Sequence, residues 1–366
     1  MADISITVDG IRFANPFILA SGPPGTNGKV IQRSFELGWG GIVCKTISLD
    51  HTQVHNTVPR YAKWSDPDDR KKVLGFQNIE LISDRPFDLW LDELTAAKEA
   101  YPDRILIASI MEELEEDKWI EITERIQATG IDALELNLSC PHGLPERKMG
   151  AAMGQDPQIV AQVTGWVKSV AKVPVWAKMT PNITDITLPA KAATGAGAEG
   201  ITAINTILSV IGVNLDTMRP MPTVEGYTVP GGYSGQAVRP IALRQVMECA
   251  RACPEQSISG MGGIENALDA VQFMALGAST VQICTAAMLQ GYEMIEKLRD
   301  DLSDFLDSKD MASLQELVGV SLPYFSTHHD LVERQRQAKR EKAGQTGRDS
   351  MWKGDIKSET EGLITD

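Results

Sequence analysis

Three features of the sequence predict an α/β protein closed into a (β/α)₈ TIM barrel. Eight short apolar segments read as strands, at 17–22, 40–47, 105–111, 133–140, 173–180, 200–207, 257–263 and 280–286. Helix-length amphipathic stretches lie between most of them, so strand and helix alternate as in a parallel barrel. An open doubly wound sheet is the rival, but its usual Gly-x-Gly-x-x-Gly after the first strand is missing.

The elements justify themselves in order. Phe17-Ile-Leu-Ala-Ser-Gly22 and Gly40-Gly-Ile-Val-Cys-Lys-Thr-Ile47 are apolar until their last residues. The connection 48–104, which holds Gly75-Phe-Gln-Asn-Ile-Glu80, is too long for a plain crossover. In the fourth strand Leu134, Leu136 and Leu138 alternate with Glu135, Asn137 and Ser139, until Pro141 and Gly143 stop it. Over 157–171, Ile159, Val160, Val163, Trp166, Val167 and Val170 share one helical face, and 266–276 behaves similarly. A second long connection, 208–240, is rich in Gly and Pro. Long insertions of this kind build the lid or walls of a barrel's active site.

After the last strand, 293–308 reads as a helix and 311–318 as a second, short one. From Arg334 a charged run leads into a Gly/Ser/Thr/Glu-rich stretch. The expected division is therefore a barrel over 1–310 and a C-terminal helix and polar tail over 311–366. Such a tail is solvated; the sharper reading is a docking arm for another subunit, anchored by Met351 and Trp352.

Composition narrows the function. Of 366 residues, 43% are hydrophobic, enough for a large core. With 49 acidic against 35 basic residues the formal charge is −14, which argues against nucleic acid or an anionic membrane as partner. Five cysteines (Cys44, Cys140, Cys249, Cys253, Cys284) show no metal-type pairing, so no metal site is expected. Cys249 and Cys253 read as ordinary residues near a helix. With neither a basic leader nor an 18-residue apolar window, the expected location is cytoplasmic.

In barrels the chemistry lies at the C-terminal ends of the strands. Those ends offer Ala20-Ser21-Gly22, Lys45-Thr46, Ser109, Asn137-Ser139-Cys140, Lys178, Asn205-Thr206, Gly262-Gly263 and Cys284-Thr285. A lysine in a strand buried on both faces is costly unless something anionic or strongly hydrogen-bonding meets it. The expected partner of Lys45 and Lys178 is a ligand rather than an internal carboxylate. Gly260-Met-Gly-Gly263, the end of the eighth strand and Gly231-Gly-Tyr-Ser-Gly235 supply free backbone suited to a phosphate. Phosphate there, lysines opposite and no dinucleotide fingerprint suggest flavin mononucleotide (FMN) rather than NAD.

Glu135-Leu-Asn-Leu-Ser-Cys-Pro-His-Gly143, with Glu146-Arg147, Met149-Gly150 and Gly154-Gln-Asp-Pro157, resembles the catalytic segment of dihydropyrimidine dehydrogenases. More broadly it resembles the dihydroorotate dehydrogenase-like FMN barrels, over about residues 3–300. The resemblance implies that Ala20, Ser21, Lys45, Thr46, Lys178, Gly235, Gly262, Gly263, Cys284 and Thr285 hold FMN. It implies that Asn78, Glu80, Asn137, Asn205 and Thr206 hold the substrate. An asparagine amide offers both a donor and an acceptor, matching the alternating N–H and C=O of a uracil-like ring. Lys178 would stabilise negative charge on the reduced flavin.

Cys140 is the expected general acid/base, since saturating a C5–C6 bond needs a hydride at one carbon and a proton at its neighbour. His142 and Arg147 share its segment. The expected function is FMN-dependent interconversion of uracil or thymine with 5,6-dihydropyrimidines. Two alternatives stay open: a related FMN reductase or dehydrogenase of another cyclic amide or electron-poor ring (dihydroorotate-type included), or a non-catalytic FMN electron-relay subunit. The resemblance departs at one point. Dihydropyrimidine dehydrogenases feed electrons through iron–sulfur clusters, and this chain has no Cys-x-x-Cys-x-x-Cys run. Electrons are therefore expected from an NAD(P)H- or iron–sulfur-linked partner subunit, and a homodimer is expected by likeness. Glu112, Glu113, Glu115 and Glu116 read as an acidic rim after the third strand.

Overall fold

The computed structural model describes residues 2–139 and 150–341. It opens with a hairpin, β1 (Ile6–Val8) and β2 (Ile11–Phe13), turned by Asp9 and Gly10. Both turn residues have positive φ, 51° and 82°, the primed geometry that matches strand twist. Next come β3 (Phe17–Leu19) and β4 (Gly41–Val43), then an antiparallel pair, β5 (Tyr61–Ser65) and β6 (Val73–Asn78). β7 (Ile105–Ile110), β8 (Ala133–Asn137), β9 (Val175–Lys178) and β10 (Gly200–Ala203) follow. β11 (Ile207–Ser209), β12 (Val213–Asn214), β13 (Arg219–Pro220) and β14 (Gly231–Ser234) fill the second long connection. β15 (Ser257–Met261) and β16 (Thr280–Ile283) come last.

Eight of these close a parallel barrel in the order β3-β4-β7-β8-β9-β10-β15-β16, one from each of the eight predicted segments. Seven are buried at every residue, as strands covered by helices outside and packed side chains inside must be. Every strand ends before its apolar segment does: β4 stops at Val43 and β8 at Asn137. The residues beyond leave the ladder and form the mouth.

The helix Pro157–Val170 starts where Asp156 accepts the Gln158 and Ile159 N–H groups with proline at the first position. The helix Met294–Ser308 buries Ile295, Leu298, Leu302 and Leu306 on one side. Segment 311–318 makes only a 3₁₀ turn, Leu314–Glu316, closed by a Ser313/Glu316 capping box and followed by left-handed Gly319. The compact barrel unit runs Met1–Leu322, so 311–322 falls within it; Pro323–Asp366 form a second unit. There the charged run from Arg334 is not loose tail but part of a helix, His328–Glu341. Asp330–Arg334 and Glu333–Arg336 pairs at helical spacing favour that conformation. Met351 and Trp352 lie outside the described residues.

The opening hairpin sits at the N-terminal ends of the strands. Asp9 Oδ2 accepts from Trp176 Nε1 at 2.7 Å and Ser257 Oγ at 2.6 Å, and Phe13 stacks on Trp176 at 6.2 Å. At the other end both long connections contribute to one antiparallel sheet, β11-β14-β6-β5, beside the mouth. Gly231-Gly-Tyr-Ser234, expected as free backbone, is thus a paired strand, and only Gly235 leaves it. The glycines are there for close approach: a Cβ on Gly232 would stand 2.1 Å from Thr206 Oγ1. No described helix is long and apolar enough to cross a membrane.

Candidate active site

The mouth holds a cavity of about 1110 Å³, counted to its open rim. Of the fifteen residues expected to hold cofactor and substrate, all but Ala20 line it. Ala20 is fully buried and its N–H donates to Ile283 O, so it stands behind the wall. Cys140, His142 and Arg147 lie outside the described residues.

A belt of short polar side chains ties the strand ends together. Ser21 Oγ lies 3.1 Å from Thr46 Oγ1, which lies 2.9 Å from Ser109 Oγ and accepts from Asn137 Nδ2 at 2.9 Å. Asn205 Nδ2 donates to Ser139 Oγ at 2.8 Å, and Ser139 Oγ donates to Asn137 Oδ1 at 3.2 Å. Asn78 reaches the cavity from the end of β6, its Nδ2 donating to Gly232 O. Three asparagines from separate elements therefore face one space. Asn182, by contrast, braces the wall: Leu208 N–H donates to its Oδ1, and its Nδ2 donates to Thr206 O.

The lysines correct the sequence reading. Internal carboxylates do meet them: Lys45 pairs with Glu80, and Lys178 Nζ lies 3.1 Å from Glu135 Oε1. The cost of burying ammonium groups explains why the fold supplies both carboxylates itself. Glu135 is fully buried inside the barrel and also accepts from Thr202 Oγ1 at 3.0 Å and Gln282 Nε2 at 2.8 Å. Glu80 also holds Arg60 Nη1 at 3.0 Å.

Gly235, Gly262 and Gly263 share one corner with φ of 93°, 131° and 75°. Any side chain on Gly263 would stand 2.8 Å from Gly235 O, so the corner presents bare backbone. Beside it, Ser234 Oγ and Thr285 Oγ1 are 2.8 Å apart. Cys284 also lines the cavity; burial pushes its thiol up to about 11, with Lys178 and Lys45 pulling the other way.

Sequence reasoning missed Tyr61, Phe76, Tyr233, Ser234 and Gln282, all of which line the cavity. Gln282 Oε1 is buried with no partner among the described residues. Its position in a barrel strand was the available signal, since a polar side chain there needs a use.

The acidic rim is not uniform. Glu113 and Glu115 pair with Lys118, but Glu112 is buried and takes the Leu49 N–H at 2.5 Å, bridging the segments that follow β7 and β4. Burial pushes its carboxyl up to about 7. A raised folded-state pKa makes its contribution to stability fully present below the ordinary carboxylate range and lost as pH rises through about 7. Glu112→Gln, which keeps the acceptor without the charge, should flatten the pH dependence of stability between about 5 and 7, by on the order of 2–3 kcal/mol. Denaturant unfolding of both proteins across that range checks this; parallel curves would refute it.

With this geometry in view, the chain can be set beside known proteins. The family model for dihydroorotate dehydrogenase matches residues 3–306. The chain is 50% identical to dihydropyrimidine dehydrogenase (NADP(+)), chloroplastic, of Arabidopsis thaliana, over 99% of its own length and 88% of the relative. It is 42% identical to the NAD-dependent dihydropyrimidine dehydrogenase subunit PreA of Escherichia coli K12, over 87% of this chain and 77% of that one. A crystal structure of DHODH from Eimeria tenella, in complex with ferulenol, has the same fold at a TM-score of 0.72 and 20% identity, covering 87% and 88% of the two chains. The chain belongs to the dihydroorotate dehydrogenase family.

Proposed function

We propose that the protein is an FMN-dependent oxidoreductase that interconverts uracil or thymine with their 5,6-dihydro forms, with electrons from a partner subunit. The observation that carries the reading is the convergence of Asn78, Asn137 and Asn205 on a cavity that also holds two lysines and a bare glycine corner. Relatives named for dihydropyrimidine dehydrogenation support the substrate class, and one of them is named a subunit.

The residues present fit FMN. The unpartnered Gln282 Oε1 asks for a donor, Ser21, Thr46, Ser234 and Thr285 offer hydroxyls, and the Gly235–Gly263 corner admits a phosphate against backbone. Lys45 and Lys178 would sit near its electron-rich edge. Bound there, FMN would supply hydride exchange with one ring carbon.

The chain's own residues do the rest. Asn78 and Asn137 each keep one amide N–H beyond the bonds described, and with Asn205 they would fix the ring's alternating donors and acceptors. Tyr61, Phe76 and Tyr233 give the cavity an aromatic wall against which a flat ring could pack. Cys140, next to the anchored Ser139, would move the proton at the neighbouring carbon. We infer a homodimer from family likeness alone. For location, the cytoplasm remains our reading, although the Arabidopsis relative is named chloroplastic.

Stopped-flow mixing of the reduced enzyme with uracil tests the reading. Reoxidation should be much faster than in buffer alone; equal rates would count against it.

A further inference from the structure

Glu80 gathers two cations, one of them on the cavity wall. Its carboxylate, 9% exposed, pairs with Lys45 and with Arg60, and the Tyr61 hydroxyl also bonds to it. Lys178, the other lysine on the cavity wall, is held by Glu135. Among the described residues that line the cavity, no lysine or arginine is left without a carboxylate partner. Glu265 adds a further acid to the wall. Glu80 is also close to the ring-binding amides, since its own N–H donates to Asn78 Oδ1 at 3.3 Å.

An entering carboxylate must give up water, and beyond the donors a neutral ring also uses, a free counter-charge is what repays the extra cost of its charge. Here it would meet Lys45 already engaged by Glu80, and the Glu265 carboxylate on the same wall. A neutral ring loses nothing by this arrangement, because amides and hydroxyls remain to bind it.

We propose that Glu80 is a charge filter: by engaging Lys45 on the cavity wall it admits uncharged pyrimidine rings and rejects rings that carry a carboxylate. The proposal rests on reading the cavity as a pyrimidine site. It makes Glu80 a specificity-determining residue through charge as well as contact.

Calorimetric titration of the holoenzyme with three ligands tests it: uracil, uracil-6-carboxylate and uracil-6-carboxamide. The last two share a shape and differ in charge. The carboxylate should bind at least about 30-fold more weakly than the carboxamide, and Glu80→Gln should narrow that gap by about tenfold. A carboxamide rejected as strongly as the carboxylate would show exclusion by shape and overturn the proposal. So would an unchanged gap in a Glu80→Gln protein whose circular dichroism shows it folded. If that variant fails to fold, the three wild-type affinities decide alone. If uracil itself does not bind the wild type, the pyrimidine reading falls rather than the filter.

Discussion

Replacing Cys140 by alanine is expected to slow ring reduction by about 10²–10⁴-fold while FMN stays bound, as loss of a general acid implies. The residue before it, Ser139, is pinned to Asn137 and Asn205, so the chain enters Cys140 from a fixed point at the mouth. The described cysteines are poorer candidates. Cys44 is buried and pushed up to about 12, and Cys249 and Cys253 are buried at the end of the helix Arg239–Ala252, away from the cavity. Cys284 does reach the cavity, and pH separates it from Cys140. A general acid must hold its proton, so the rate falls as pH rises through its pKa. An ordinary thiol puts that fall near ~8.5, whereas Cys284 would put it near about 11. Single-turnover reduction of uracil across pH 7–11 is the measurement. An unchanged rate in Cys140→Ala, or release of FMN from it, would remove the thiol from the chemistry.

The barrel was legible because its signal is local. A parallel strand covered on both sides is built mainly of apolar and small residues, and each of the eight segments is a short stretch of that kind. What local reading missed depends on distant chain. Gly231-Gly-Tyr-Ser234 reads as free backbone, yet it is a strand because β6, more than 150 residues earlier, pairs with it. The carboxylates of Lys45 and Lys178 were missed likewise: Glu80 is 35 residues from its lysine and Glu135 is 43 from its own. Glu135 stood in the strand already singled out and Lys178 in the next one round the barrel, but which of their side chains meet inside depends on register, which no local pattern fixes. The residues at the strand ends, such as Asn137, Asn205 and Thr46, were legible for the opposite reason. A polar side chain that interrupts an apolar run has to face a cavity or a partner, and the C-terminal end of a barrel strand supplies the cavity.

Replacing Glu135 by leucine is expected to destabilise the protein by about 3–5 kcal/mol, because it leaves the Lys178 ammonium buried without a counter-charge. Lys178 is 2% exposed, and its partner is the only carboxylate the described structure places on it. Thr202 and Gln282 would lose their acceptor as well. Adding Lys178→Met removes the stranded charge, and an apolar pair of similar size should recover most of the loss. It should not recover all of it, since two buried donors remain unsatisfied. Denaturant unfolding of the single and double variants measures both steps. Retention of FMN through gel filtration then separates stability from use: the double variant should be folded and hold the flavin poorly. If leucine alone costs less than about 1 kcal/mol, water must reach Lys178 in the variant. The pair would then not be sealed inside the barrel. If the double variant keeps both stability and flavin, the ion pair serves neither the fold nor the site, and Lys178 loses its place in the proposed chemistry.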